Sequence, residues 1–480
     1  VCVPLAANNG CVEAPPSDDC DLGGGDDTGT DTGTDTGTDT GDESTTGTPP
    51  ECTEADAEVS PACQALDSAA PFCDASGQCV ACDGTLDANG ACANLDPSTP
   101  ICDGGLCVQC VTTADCSGDT PICEANSCRA CVGHAECPSE ACRLASGACF
   151  GSDEVRWVDG GKPPTECLNA DGLTETTALC TLGDAKASLS TTGAIFVLSQ
   201  AGVYEEQVTL LPGEEFAFLG RGATPPVVNA PGTLSATATV SSATAYFAGI
   251  EMSGNTLRSA IACDDLSSTG ASTIYVTDAS VLRLNARYGV EADGCAVHVE
   301  DTRVVDNDLG GLSVAEGQLW MENASLAFNG VFGPMNASGA LRLANVSVEQ
   351  FAYNSLVYNQ AVDPTTYGTL TCEGSVTGEL RNSILSGRTV ESISPLCPSQ
   401  VSITHSVVDS AALLGGTNVD AGPVDNNRFV DVQGGDLHLS ATVPLSWTTA
   451  ALFEIGDPPL DIDGESRDAA MTAVGVDEPN

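Results

Sequence analysis

Apolar residues in the C-terminal half alternate over short stretches, break at a polar residue and then resume. The polar anchors are Asp278, Asp301, Asn323, Asn345, Asn382 and His405, at steps of 23, 22, 22, 37 and 23 residues. Two residues before them stand Val276, Val299, Met321, Leu343, Leu380 and Ile403, and three after stand Val281, Val304, Leu326, Val348, Leu385 and Val408. Alternate residues of a strand share a face, so positions −4 and −2 point into one core. The jump to +3 marks a bend and a new strand. A coil of about 22 residues cannot bury its apolar face alone, but a stack of coils can. The pattern predicts an all-β chain whose larger part is a parallel β-solenoid spanning 194–440. Its N-terminal cap is 151–193, with a short helix over Leu182–Leu189, and its closing segment is 441–480.

The same register assigns the outer face. Position −3 reads Tyr275, His298, Trp320 and Arg342, and position −1 includes Glu300 and Glu322. Strands stack about 4.8 Å apart, so these residues are expected to form an exposed ladder. Flat rings suit sugars, which makes Tyr275, His298, Trp320 and Arg342 the candidate ligand-binding set. His298, Glu300, Glu322 and Arg342 are the candidates for acid–base cleavage of a glycosidic bond. The plainer reading is a solvated face on which Arg342 stacks on Trp320 and pairs with Glu322. Asp278 and His405 read as turn residues. A long insertion near 354–376 is expected to form a partial wall beside the ladder.

Cysteines change the picture for the N-terminal part. Sixteen of the 25 fall into four modules of four across residues 51–150, and each module joins the next through Cys-x-x-Cys. Modules so poor in apolar residues read as a disulfide-stapled array. Each module allows three pairings, and zinc is the rival reading of the Cys-x-x-Cys pairs. Residues 1–20 hold a partial cysteine-containing segment, with Cys2, Cys11 and Cys20. Residues 21–50 repeat Asp-Thr-Gly-Thr through Asp31, Asp35 and Asp39, and read as a disordered acidic linker. In the cap, Cys167 and Cys180 are expected to form a staple. Cys263 with Cys295, and Cys372 with Cys397, lie about one coil apart and are expected to bond across adjacent rungs.

Charge narrows the partners. With 67 acidic and 15 basic residues the formal net charge is −52, which repels nucleic acid and anionic lipid. No run of 18 apolar residues exists, so no membrane span is expected. The cysteine usage places the chain outside the reducing cytosol. The sequence starts at Val1 without Met and is read as a fragment. No cofactor or metal is expected.

Several stretches resemble secreted bacterial right-handed parallel β-helix proteins of the pectate-lyase-like superfamily. Gly202–Leu210 (GVYEEQVTL) is similar to their first rung, and Arg428–Asp431 with Gly435–Leu439 to their last. Asp461–Arg467 (DIDGESR) and Val474–Glu478 (VGVDE) resemble their closing segment. The cysteine modules and acidic spacer resemble surface proteins of myxobacteria. The resemblance implies a right-handed β-helix at the extracellular or outer-membrane surface of a Gram-negative bacterium. It leaves activity open, because that superfamily mixes lyases, hydrolases and adhesins. The polygalacturonase motifs do not carry over, since Asp264 and Asp265 stand without the others. Two readings follow: an interaction protein binding polysaccharide or extracellular matrix, or a polysaccharide-cleaving lyase or hydrolase.

Overall fold

The computed structural model describes residues 60–476, apart from 67–69, 75–76, 83–87, 200–202, 266–271, 332–337, 362–367, 389–392, 395, 423–425, 433–434 and 468–472. The partial segment 1–20 and the linker 21–50 lie outside the described residues. Three parallel sheets run the length of the C-terminal part, two of ten strands and one of seven. One coil shows the plan: Gln318–Glu322 in the first sheet, Ser325–Ala327 in the second and Gly339–Ala344 in the third. The chain then re-enters the first sheet at Ser347–Ala352. Within each of the three sheets, strand pairs with strand one coil on, in parallel, which makes the protein a parallel β-helix.

Alternation explains the core. In the first sheet Ile274 pairs with Val297 and Val297 with Leu319, while Val276 pairs with Val299 and Val299 with Met321. All six are at most 1% exposed. The anchors Asp278, Asp301, Asn323, Asn382 and His405 all have φ between +46° and +55°. Asp and Asn tolerate this left-handed conformation better than other non-glycine residues, and it turns the chain into the second sheet.

Asn345 is the exception to the expected column. It is also left-handed, at φ +54°, but it ends a strand of the third sheet. Its neighbours Leu341 and Leu343 pair with Leu312 and Val314 on one side and with Leu370 and Cys372 on the other. The true fourth place belongs to Tyr353, at φ +55°, 353 − 323 = 30 residues after Asn323. Extra residues between the second and third strands lengthen this coil, so a 22-residue step stops one sheet early. Met321 therefore pairs in register with Phe351 and not with Leu343. Leu343 is still fully buried and Ala344 partly exposed. Leu343→Asp is expected to lower the melting temperature severely, by placing an unpaired carboxylate in the core, and Ala344→Asp only mildly. Similar melting temperatures would contradict the orientation of this strand.

A second polar column lies inside the turns. The Asn285 amide donates to Asn307 Oδ1 at 2.9 Å, Asn307 to Asn329 at 3.0 Å, and Asn329 to Asn359 at 3.0 Å. Each is at most 1% exposed. Helix Leu182–Ser188, N-capped by Thr181, turns Leu182 and Ala185 onto the first coil and closes the core. Disulfides Cys263–Cys295 and Cys372–Cys397 join adjacent coils, and Cys167–Cys180 ties the cap. A bond closing 25 or 32 residues constrains the unfolded chain by about 3–4 kcal/mol in the loop-entropy account.

The cysteine modules pair first with third and second with fourth. This holds for Cys82–Cys102 with Cys92–Cys107, Cys110–Cys123 with Cys116–Cys128, and Cys131–Cys142 with Cys137–Cys149. In the first module Cys63–Cys79 fits the same scheme. These sulfurs are engaged in disulfides and are not thiolates available to zinc.

Module four is not a free tether. Its Ala141 and Phe150 pack on Ala194, Phe196, Ala217, Leu219, Tyr246 and Ala248, which are outward residues of the first sheet. Arg143 locks the contact by donating to both oxygens of Glu154 at 2.8 Å, to Thr192 Oγ1 at 2.6 Å and to Glu215. The outer face of the second sheet is covered too. Val305, Ala327, Val357, Ile384 and Val407 meet Phe429, Trp447 and Val474 of the closing segment.

Candidate functional site

The outer face of the first sheet carries an aromatic stack. Tyr246 pairs with Tyr275, Tyr275 with His298, and His298 with Trp320. Centroid separations are 5.0, 4.2 and 4.2 Å, with interplanar angles of 24°, 14° and 9°. The rungs dictate this geometry, because side chains in register one strand apart lie at ring-stacking distance. The rings therefore spend their faces on one another and turn their edges outward. Trp320 ends the stack, since its next partner is Gln350.

Arg342 is not in this stripe. It lies on the third sheet beside Ser313 and Thr371, and its guanidinium bonds Glu373 at 3.0 and 2.5 Å and Ser313 Oγ at 3.3 Å. The structure groups Tyr275, His298 and Trp320 and leaves Arg342 out, for the same reason that Asn345 left the anchor column. The insertion near 354–376 does not wall the stripe through its described strands. Ser355–Val357 and Leu370–Glu373 are rungs of the second and third sheets, buried except for Glu373.

The wall comes from module four. Cys131, Val132 and Leu144 face Tyr275, His298, Trp320, Glu300 and Glu322 across a cleft of about 240 Å³. Tyr246 lies beneath the module at 0% exposure, while Tyr275, His298 and Trp320 are half-buried. Nothing in the β-helix periodicity signals this wall.

Glu300 and Glu322 are direct partners on adjacent rungs. Burial, with the Glu300 charge adding to it, pushes Glu322 up to about 7, against a hydrogen bond from Gln350 Nε2 at 2.7 Å. Asp301 is also pushed up to about 7, first by burial and then by Glu300. Its Oδ1 has no hydrogen-bond partner among the described residues. Burial raises Glu300 and Asp278 as well, although both keep exposed surface. Burial drives His298 down to about 4, so its ring is neutral near pH 7 and is not a cationic acid. The cleft thus offers the Glu322 carboxyl, held near 7, and the Glu300 carboxyl, also raised by burial, beside aromatic edges.

The raised groups link stability to pH. Their folded pKa values lie above those of the unfolded chain, so their contribution is present below about pH 4 and is lost as pH rises through about 7. The melting temperature is expected to fall between about pH 5 and pH 8, and Glu322→Gln is expected to make that fall shallower. The difference between the two slopes is the reading, because a net charge of −52 adds its own repulsion. Parallel slopes would contradict the raised Glu322.

Residues 39–155 match a family of unknown function (DUF8331), a stretch that contains the cysteine modules. No curated protein sequence matches the chain. Among solved structures, the chain is similar to a pectate lyase at 14% identity, over 68% of this chain and 96% of that one, with a TM-score of 0.31. It is similar to a rhamnogalacturonan lyase at 10% identity, over 59% and 94%, with a TM-score of 0.30. A pectin methylesterase from Aspergillus niger is 16% identical over 55% and 94%, with a TM-score of 0.25. No helix among the described residues is long and apolar enough to cross a membrane.

Proposed function

We propose that the protein is a secreted or cell-surface interaction protein that binds polysaccharide or extracellular matrix in the cleft between module four and the first sheet. One observation carries the reading: a second module walls the end of the aromatic stack, making a concave site of about 240 Å³ from a face that is flat in a bare solenoid. Val132 and Leu144 give sugar C–H groups an apolar wall, and the carboxyls of Glu300 and Glu322 give hydroxyl groups acceptors and donors. The disulfides fit an extracellular setting.

A second reading has one observation in its favour. Glu322, held near 7, would supply a protonated acid beside the second carboxyl of Glu300, the pairing that glycoside cleavage needs. A glycan-array screen of the chain, with sugar release assayed on each ligand that is retained, separates the two. Retention without release is expected. Release that disappears in Glu322→Gln would replace the binding reading with the enzymatic one.

A further inference from the structure

The charge of the cleft between module four and the first sheet is one-sided. Glu300 and Glu322 line it, no arginine or lysine among the described residues does, and the His298 ring is neutral near pH 7. The rest of the lining is apolar or aromatic apart from Thr277. Glu300 keeps exposed surface, and its carboxyl makes no hydrogen bond or ion pair among the described residues. Glu322 accepts one hydrogen bond, from Gln350 Nε2 at 2.7 Å. Arg381, the cation that acts on Glu322, is already paired with Asp457 and Glu454, and the Asp457 charge opposes it. Asp278 adds further repulsion at Glu300. Two carboxyls that line an open cleft therefore stand on adjacent rungs without a cation of their own. Their strands lie about 4.8 Å apart, so one cation between them reaches an oxygen of each at about 2.8 Å.

We propose that the cleft selects a cationic amino sugar, with the ammonium of a free hexosamine unit seated between Glu300 and Glu322. The proposal rests on reading the cleft as a glycan site. The sugar's C–H face packs on Val132 and Leu144 while its ammonium donates to the two carboxyls. A uronate is repelled, since its carboxylate would face both glutamates. An N-acetylated unit fits worse, because its neutral amide leaves the carboxyl pair without a counter-charge. A calcium ion also fits worse: it takes six to eight oxygens, and this lining is mostly apolar and aromatic. Seating the ammonium displaces a proton. Burial and the Glu300 charge hold Glu322 near 7, so near neutrality the pair shares a proton where the ammonium would sit. The incoming cation favours the charged form of Glu322 and sends that proton to solvent.

Calorimetric titration with a glucosamine trimer, its N-acetylated counterpart, a galacturonate trimer and trilysine tests this. It is run at about pH 6.5, where the amine is charged, and in about 0.15 M salt, which screens the net charge of −52 beyond about 8 Å. The glucosamine trimer is expected to bind at least about tenfold more tightly than the other three. Repeating the titration in buffers of different ionisation heat should show release of a fraction of a proton. Glu300→Gln and Glu322→Gln should each remove most of the preference, and Glu322→Gln the proton release, with melting temperatures recorded to show that both fold. Each variant changes the net charge by a single unit, so attraction to the acidic chain as a whole would survive in them. A preference that persists in both would overturn the proposal. Trilysine binding as tightly, with the same dependence on Glu300, would overturn it in favour of a basic peptide. Equal affinity for the three sugar trimers, with Trp320→Ala weakening all of them, would overturn the selection and leave the cleft reading standing. No heat with any trimer would overturn the proposal and leave the cleft reading to the glycan array.

Discussion

Asn307→Leu should destabilise the protein by about 3–5 kcal/mol, with no change in the denaturant slope. Asn307 is 1% exposed, and its Oδ1 accepts from the Asn285 backbone N–H at 3.2 Å and from the Asn285 amide at 2.9 Å. Its own amide donates to Leu282 O at 3.0 Å and Asn329 Oδ1 at 3.0 Å. Leucine keeps the branched skeleton but carries bulkier methyl groups, so some crowding adds to the loss of partners at two or three buried groups. Each such loss costs about 1–3 kcal/mol. Urea melts of both forms measure it. A loss below about 1 kcal/mol would show that the asparagine column is not an energetic spine.

Arg381→Met should cost about 3–5 kcal/mol, the penalty for stripping a buried ion pair of one member. The Asp457 side chain is fully buried, and Arg381 donates to both its oxygens, the Nη1 bond being 2.8 Å. The pair fastens the closing segment to the first sheet, next to Asn382, which exchanges two 2.9 Å hydrogen bonds with Leu452. Arg467 makes a parallel clamp, bonding Asn323 at 2.8 Å and stacking on Tyr353 at 4.0 Å. Adding Asp457→Leu to Arg381→Met should recover much of the loss, because most of the cost is the stranded carboxylate. A double variant no more stable than the single one would contradict this.

These two anchors show how far the sequence could be read. Asn323 and Asn382 stood out as turn residues because the apolar alternation around them is strict and only one face of each strand is buried. That same alternation misled at Asn345. A third-sheet strand also buries Leu341 and Leu343 and also ends in a left-handed asparagine, so local pattern cannot tell which sheet a strand joins. Asn285, Asn307 and Asn329 recur at 22 residues, and this signal was present but hidden among ordinary turn residues. In the site, Tyr275, His298 and Trp320 were legible because register alone stacks them. The wall was not. Module four docks through contacts such as Arg143 to Glu215, 72 residues apart, which follow no period. The disulfide scheme was equally hidden, because the spacing of the four cysteines in each module admits all three pairings.

The account stands on the cleft at Trp320, and affinity measured there tests it most directly. Wild type and Trp320→Ala would be titrated with whichever glycan the array identifies, with melting temperatures recorded alongside. The account predicts at least a tenfold weaker affinity for Trp320→Ala while the chain stays folded, about 1.4 kcal/mol of binding lost. Unchanged affinity in a folded Trp320→Ala protein would contradict it.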